Sequence, residues 1–165
     1  MKHCLALCFV FFLCACSVKN QNFSSQSLMV LIASPMIKIN DTAFLKKENN
    51  ALNLEVYKLG QAFFELKIKD KICINVVCYD KQVFNQKFFK NVYYDDILSD
   101  ILKANPLWQG KNLEKTDCGF EQNLKAKNYE IFYQVCDNKV SFFDKISHTK
   151  IILIMKFFIK FVIIK

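Results

Sequence analysis

The chain has 165 residues and a formal net charge of +8, and all 23 of its cations are lysines. This length suits one domain, which can bury about two thirds of its unfolded surface and needs no metal ion to hold a core. The lysines are spread along the chain and arginine is absent, so the clustered basic face and the bidentate phosphate fork of nucleic-acid-binding proteins are both missing. We therefore expect no nucleic-acid partner.

Residues 1–15 have the pattern of a secretory signal peptide, with a cationic start and a short apolar run. The run is too short to span a bilayer, which takes about 20 apolar residues. It ends in the letters LCAC, where the small Ala15 precedes Cys16. This ending resembles the lipobox of bacterial lipoproteins, in which the cysteine thiol accepts a lipid and the chain is cleaved before it. An ordinary cleaved signal peptide without lipid is the alternative.

The lipobox resemblance implies that Cys16 is acylated and that the membrane is a partner through this lipid, since several acyl chains anchor a protein stably. Ser17 follows the cysteine, which in similar sorting signals favours the outer membrane, with the domain facing the periplasm. Residues 16–27 are polar and without periodicity, which predicts a flexible tether. Residues 28–156 form a single β-rich lipoprotein domain in this prediction, opening on a short apolar element, 28–33, of uncertain type.

Alternation of apolar and polar residues predicts two groups of strands separated by turn residues. One face of each group is apolar and the other is polar, as in an antiparallel meander. The predicted strands are 36–47, 51–59, 61–69 and 71–79, then 119–127, 129–137, 139–145 and 150–156.

Between the two strand groups the apolar period lengthens to that of a helix. The stretch 80–91 has apolar residues at helical offsets, with Asp80 as an N-cap. The stretch 93–106 is the clearest helix, since Asp95 can cap it and Pro106 ends it. Its predicted buried stripe consists of Ile97, Leu98, Ile101 and Leu102.

The predicted fold class is therefore α+β, with a curved antiparallel, half-barrel-like sheet of about eight to nine strands and two to three helices packed on one face. Residues 157–165 form an apolar and basic tail whose structure the sequence leaves open. An overhang of the last strand, an interfacial helix and frame-shifted sequence are the alternatives for it.

Four cysteines lie in the predicted domain: Cys73, Cys78, Cys118 and Cys136. In an oxidising envelope they allow two disulfides in three pairings, of which 118–136 with 73–78 is favoured. A straight strand would hold Cys73 and Cys78 about 16 Å apart, too far to bridge, and a turn at 74–76 removes this objection. Zinc is the rival, but its usual spacing is missing and the mature chain has only His148 as an imidazole ligand.

No arrangement of residues predicts catalysis. The three glycines are isolated, so the sequence predicts no phosphate-binding loop, and His148 lies in a predicted turn. We therefore expect no catalytic residue, no metal and no cofactor. Seventeen Phe and six Tyr make the chain rich in aromatic residues. They form either a solid core or the walls of a cavity for acyl chains. The candidate lipid-contact residues are Phe64, Leu66, Phe84, Phe88, Ile97, Ile101, Trp108 and Phe132.

The segment FNQKFFKNVYYDDILSDILKANPLWQGKNL, followed by GFEQNLKAKNYEIFYQV, resembles a family of small uncharacterised lipoproteins of Gram-negative bacteria over residues 36–155. The order of the helix, the loop and the strands in this segment is also similar, more distantly, to that of the outer-membrane lipoprotein receptors of the lipoprotein-localisation pathway (LolB-like). The helix before Pro106-Leu107, then Gly110, and the GFEQ strand at 119–122 carry this likeness. It implies an unclosed antiparallel barrel whose apolar concave face is covered by helices and receives acyl chains.

Two functions follow as expectations. The first is a non-enzymatic, membrane-anchored lipoprotein that binds lipid or the acyl chains of another lipoprotein in an apolar concavity. The second is a structural or assembly lipoprotein that docks on an envelope complex and has a solid aromatic core.

Overall fold

The computed structural model describes residues 23–48 and 50–156. The described strands are β1 (Phe23–Ala33), β2 (Lys38–Glu48), β3 (Ala51–Lys58), β4 (Gln61–Ile68), β5 (Ile72–Ile74), β6 (Val77–Tyr79), β7 (Leu113–Thr116), β8 (Gly119–Ala126), β9 (Tyr129–Cys136), β10 (Lys139–Asp144) and β11 (Thr149–Met155). Helices α1 (Lys81–Phe88) and α2 (Ile97–Lys103) and the 3₁₀ turn Leu107–Gly110 connect β6 to β7.

All eleven described strands form one antiparallel sheet in the order β6-β5-β4-β3-β2-β1-β11-β10-β9-β8-β7. Each half of the sheet is a meander, and the two meanders join where β1 pairs with β11. The predicted class, a mixed α+β fold with a curved open antiparallel sheet, is confirmed. The edge strands β6 and β7 have three and four residues, and such short edges limit pairing with other chains.

The sheet has more strands than the eight to nine predicted, for two reasons. Residues 71–79 form the two short strands β5 and β6 around a turn at Asn75 and Val76, where a single strand was predicted. Strand β7 has no clear alternation of apolar and polar residues, so its sequence carried no strand signal. The described part has two α-helices and one 3₁₀ turn.

The split of residues 71–79 brings two cysteines together. Cys73 and Cys78 become direct cross-strand partners and form a disulfide, with 3.9 Å between their Cα atoms. Cys118 and Cys136 form the second disulfide where β8 begins and β9 ends. Both favoured pairings are therefore present. The four sulfur atoms of the domain are thus bonded in pairs.

Strands β1 and β11 lie at the centre of the sheet and are apolar on both faces. Leu28 and Leu153 are buried on the inner face, which packs against the helices. Met29 and Ile154 are half-exposed on the outer face, where they are cross-strand partners. The two strands therefore carry apolar residues on both faces, and on the outer face these residues meet each other, while their partners in β2 and β10, such as Thr42 and Lys139, are polar.

Strand β1 begins earlier than the apolar run that predicted a buried element at 28–33. The last five residues of the predicted tether, 23–27, are paired with β2 and belong to the sheet. Cys16, the rest of the predicted signal and tether, and the 157–165 tail lie outside the described residues. No helix within 23–48 and 50–156 is long and apolar enough to cross a membrane.

The predicted apolar stripe of α2 is buried, but the N-termini of the two helices are not capped as the sequence predicted. Ile97, Leu98, Ile101 and Leu102 of α2 are buried. The predicted cap by Asp95 is wrong, because Asp96 is the N-cap residue and its side chain makes no capping bond. The Asp96 carboxylate instead accepts a hydrogen bond from Lys81 at 2.6 Å. Asp80 is the N-cap residue of α1, as expected, but it too forms no side-chain cap.

A polar network crosses strands β2 and β3 on the outer face. The Lys46 ammonium donates to both carboxylate oxygens of Glu55 at 2.7 Å, and the Tyr57 hydroxyl donates at 2.8 Å. Burial alone would raise the pKa of Glu55, but the hydrogen bonds from Lys46 and Tyr57 outweigh it and lower this pKa. The hydrogen bond to Glu55 is the main reason that the pKa of Lys46 is raised.

Candidate functional site

A continuous chain of aromatic rings fills the space between the helices and the inner face of the sheet. Phe84 stacks on Phe88 at 5.2 Å, and Phe88 meets Phe89 edge-on at 4.7 Å. Phe89 then contacts Tyr93 and Phe142, at 5.1 and 5.6 Å between ring centroids. These phenylalanines are almost completely buried. In this conformation the aromatic residues therefore form a packed layer.

The structure brings most of the candidate lipid-contact residues to this inner layer. Five of them are fully buried: Leu66, Phe84, Phe88, Ile97 and Ile101. Phe64 is 9 % exposed, and Trp108 is partly buried against the same core. Their packing leaves the side chains of the five buried residues no contact with solvent.

Phe132 lies apart from the other candidate lipid-contact residues. It is 37 % exposed and lies on the outer face, opposite Phe143 of β10. In β9 the buried side chains are its neighbours Ile131 and Tyr133. Because successive side chains of a strand alternate between faces, burial of these two neighbours directs Phe132 outward.

A buried hydrogen bond links the helical segment, residues 81–110, to strand β10. The Tyr93 hydroxyl donates to the Asp144 carboxylate at 2.7 Å, and the backbone N–H groups of Glu130 and Ile146 donate to the same carboxylate. Asp144 is completely buried, so these donors offset the cost of removing its charge from water. Burial and the hydrogen bond to Asp144 raise the pKa of Tyr93 far above its usual value.

Gln122 of β8 holds the 3₁₀ turn against the sheet. Its side-chain oxygen accepts from the Leu107 N–H at 2.7 Å, while its amide donates to the carbonyls of Leu107 and Lys111 at 2.9 and 2.6 Å. Trp108 follows in this turn and stacks on Tyr129, with ring centroids 5.4 Å apart. A single buried amide thus positions the Pro-Leu-Trp loop.

Other side-chain hydrogen bonds attach the segment to the same half of the sheet. The Asn91 amide donates to the Asn128 carbonyl, and Tyr133 donates to the carbonyl of Asn105. Thr149 of β11 donates to the Phe88 carbonyl. Among the described residues, no side-chain hydrogen bond joins 81–110 to strands β1–β6. The side-chain hydrogen bonds between this segment and the sheet therefore run to the β8–β11 half. On the other side, the Lys87 ammonium lies over the Tyr79 ring of β6 at 5.8 Å, and Asp80 at the start of α1 pairs with Lys71 at 3.1 Å.

A cleft opens on the side that lacks these hydrogen bonds. We call it the lysine cleft, with a volume of about 380 Å³. The sheet side consists of Lys47, Asn50, Ala51, Leu52, Ile68 and Lys69, and the helix side of Lys81, Asp96, Ser99, Asp100 and Lys103. Leu52 and Ile68 are nearly buried, so an apolar floor lies behind a charged rim.

A second opening, the hairpin groove, lies at the opposite end of the sheet, beside the disulfide-linked β5–β6 hairpin. Its volume is about 510 Å³, and its apolar lining includes Met36, Ile39 and Phe64. Val76 at the tip of the hairpin is 92 % exposed, and Phe63 is 47 % exposed. Of the candidate lipid-contact residues, only Phe64 lines this groove.

Reasoning from the sequence missed the polar anchors of the helical segment. Asp144 follows Val140 and Phe142 at alternate positions of β10, which places a carboxylate on the buried face. An acidic residue at an inward-facing position of a predicted strand indicates a buried carboxylate that needs hydrogen-bond donors, and the sequence contained this indication. Its partner Tyr93 is 51 residues away, and no local pattern connects the two. Gln122 lies within the GFEQ strand, but its type alone does not indicate what it binds.

No protein-family model matches this chain, and a search of curated proteins finds no relative. The geometry by itself defines an α+β protein with an open antiparallel sheet, covered on one face by a helical segment. Its candidate site is the aromatic inner layer with the lysine cleft at its edge.

Proposed function

We propose that this chain is a membrane-anchored bacterial envelope lipoprotein that has no catalytic role and binds acyl chains of lipid or of another lipoprotein. The anchor is the lipid on Cys16, and the outer membrane, on its periplasmic side, is the location we infer. The half-barrel-like sheet with its helical cover is the part that receives the ligand. The resemblance to lipoprotein receptors supports this proposal, since it implies an apolar concave face covered by helices.

One observation carries the proposal. The helical segment covers an inner face whose β2–β4 part is apolar, and its side-chain hydrogen bonds run only to the β8–β11 half. Separation of the segment from β2–β4 would break apolar contacts but none of these bonds. It would expose Leu52, Leu66 and the aromatic layer to an entering chain. Acyl chains are the ligand class that such a surface suits, because burial of each CH₂ contributes about 0.8 kcal/mol.

The close packing of the aromatic core favours a second candidate function, that of a structural or assembly lipoprotein that docks on an envelope complex. Phe84, Phe88 and Ile101 are fully buried and in contact within one core. If this packing persists in solution, the aromatics stabilise the domain and leave no room for a ligand.

The two candidate functions predict different lipid binding by the full-length protein. We would inspect the purified protein by native mass spectrometry for co-purified lipid and measure displacement of a fluorescent fatty acid. Ala51 lines the lysine cleft, so Ala51→Trp should obstruct entry and weaken probe binding about tenfold, equal to about 1.4 kcal/mol. Ala62→Trp at the opposite end of the sheet is the matched control and should bind like the wild type. Absence of lipid and of probe uptake would favour the assembly function.

The anchor is tested separately. Cys16→Ala should abolish metabolic labelling with palmitate, because the acceptor thiol is removed. Ser17→Ala, which leaves the thiol in place, should keep the label. Persistence of the label in Cys16→Ala would mean that another cysteine is modified.

A further inference from the structure

The lysine cleft carries more positive charge than its own carboxylates neutralise. Four lysines and two aspartates line it. Asp96 is bound to Lys81 at 2.6 Å. Asp100 accepts hydrogen bonds from the Tyr94 hydroxyl at 2.9 Å and the Asn105 amide at 3.1 Å. Both carboxylates therefore already have partners within the helical segment.

The remaining lysines of the cleft are available to a ligand. Within residues 23–48 and 50–156, neither Lys47 nor Lys103 forms an ion pair. Lys69 approaches only Asp70, at 3.9 Å, and both side chains are mostly exposed. These three ammonium groups belong to a lysine of β2, to the lysine that follows β4 and to a lysine of α2. Together they surround one opening, and an ammonium group binds phosphate as a compact point charge.

The cleft lies at the end of the sheet where the chain leaves for the predicted anchor. Strand β1 begins at Phe23 opposite Glu48, and Ser24 pairs with Lys47 of the cleft. Six residues separate Cys16 from Phe23, and a chain of this length reaches at most about 25 Å. An acylated Cys16 would therefore hold this end of the domain near the lipid headgroups.

We propose that the lysine cleft binds the phosphate group of an anionic glycerophospholipid while an acyl chain of that lipid lies over the apolar floor behind it. This inference rests on the proposed acyl-chain function and adds a headgroup preference to it. Leu52 and Ile68 supply the floor, and Lys47, Lys69 and Lys103 supply the charge. The geometry gives one ligand both an apolar and an anionic contact.

The test uses the full-length protein in mixed micelles with equimolar phosphatidylglycerol and phosphatidylcholine of identical acyl chains. Native mass spectrometry measures the ratio of the two bound lipids. We expect the wild type to favour phosphatidylglycerol about tenfold, given the attraction of each lysine to an anionic lipid surface. The triple variant Lys47→Gln, Lys69→Gln, Lys103→Gln should lose this preference. The matched control Lys58→Gln, Lys127→Gln, Lys150→Gln removes the same charge at the opposite end of the sheet and should keep it.

Each outcome decides the inference. Fatty-acid uptake without any headgroup preference, or an equal loss of preference in both triple variants, would overturn the headgroup site and leave the acyl-chain function standing. Preference that persists without fatty-acid uptake would support the cleft and overturn the acyl-chain function. Added inorganic phosphate separates the two sources of phosphate. Its binding at the cleft without enrichment of phosphatidylglycerol would refute the lipid assignment.

Discussion

Gln122→Met tests whether one buried amide positions the helical segment. Gln122 is completely buried and exchanges two hydrogen bonds with the backbone of Leu107, and it donates a third to Lys111. Methionine has a similar length and shape but cannot replace these bonds. The substitution therefore leaves the N–H and carbonyl of Leu107 without partners, and Leu107 itself is buried.

The cost follows from those two orphaned groups. A buried polar group that loses its partner costs about 1–3 kcal/mol. The Lys111 carbonyl is only partly buried, so water can replace its bond. Two such groups at the middle of that range cost about 4 kcal/mol, and burial of the apolar methionine side chain recovers about 1 kcal/mol. The free energy of unfolding should therefore fall by about 3 kcal/mol. With a urea m-value of about 2 kcal/mol/M, the unfolding midpoint should fall by about 1.5 M.

Urea unfolding followed by circular dichroism measures this loss. The only tryptophan, Trp108, lies in the turn that Gln122 holds, so its fluorescence emission should shift to longer wavelength in the variant. Gln134→Met is the matched control, since Gln134 makes one long contact of 3.5 Å with Glu121. It should change stability by less than about 0.5 kcal/mol. A Gln122→Met protein as stable as this control, with unchanged Trp108 emission, would refute the reasoning.

Three further changes have expected outcomes in the same unfolding assay. Gly119→Ala should destabilise by more than about 2 kcal/mol, because its Cβ would clash with a backbone carbonyl of β9. Replacement of Cys118 and Cys136 by serine should cost about 3 kcal/mol, from the 18-residue separation that their bond closes. Glu55→Gln should cost about 1 kcal/mol at pH 7. The pKa of Glu55 is lowered in the folded state. The stability that ionised Glu55 contributes is therefore fully present above its unfolded-state pKa of about 4.3, and it is lost as the pH falls through its folded-state pKa. The raised pKa of Lys46 preserves the pair until strongly alkaline pH.

Each of these predictions has a matched control. Gly60→Ala changes a turn glycine with no atom within 4 Å of its Cβ position, and should cost only the backbone strain of about 1–2 kcal/mol. Removal of the Cys73–Cys78 bond opens a loop of separation five and should cost about 2 kcal/mol, less than the longer loop. Glu114→Gln on strand β7, where this side chain is exposed, should change stability at pH 7 by less than about 0.5 kcal/mol. A reversed order of the two disulfide variants, or a Glu55→Gln difference that persists at pH 2, would contradict the respective arguments.

The two proposed functions differ in what the helices do. If the segment opens, the inner face serves a ligand. If it remains packed, the same residues serve stability. Hydrogen exchange of the α1 and α2 amides, compared with those of β8–β10, would show whether the segment opens separately from the sheet.

The amino-acid sequence by itself determined the elements whose pattern is local. Alternation located β2, β3, β4 and β8–β11, and helical spacing located α1 and α2, because side-chain period and backbone geometry are properties of neighbouring residues. The same logic identified the buried stripe of α2 and favoured the two disulfide pairings.

Only the tertiary structure decided what depends on distant partners. The turn at Asn75 splits an apparently continuous strand, and Phe132 faces outward because its neighbours occupy the inner face. The Tyr93–Asp144 bond and the Gln122 clamp join residues that no local pattern relates. These contacts fix the helical segment to one half of the sheet and leave the lysine cleft along the other. The physical reason is that a face, a register and a hydrogen-bond partner are set by the elements that pack against a residue, and a local sequence pattern does not contain them.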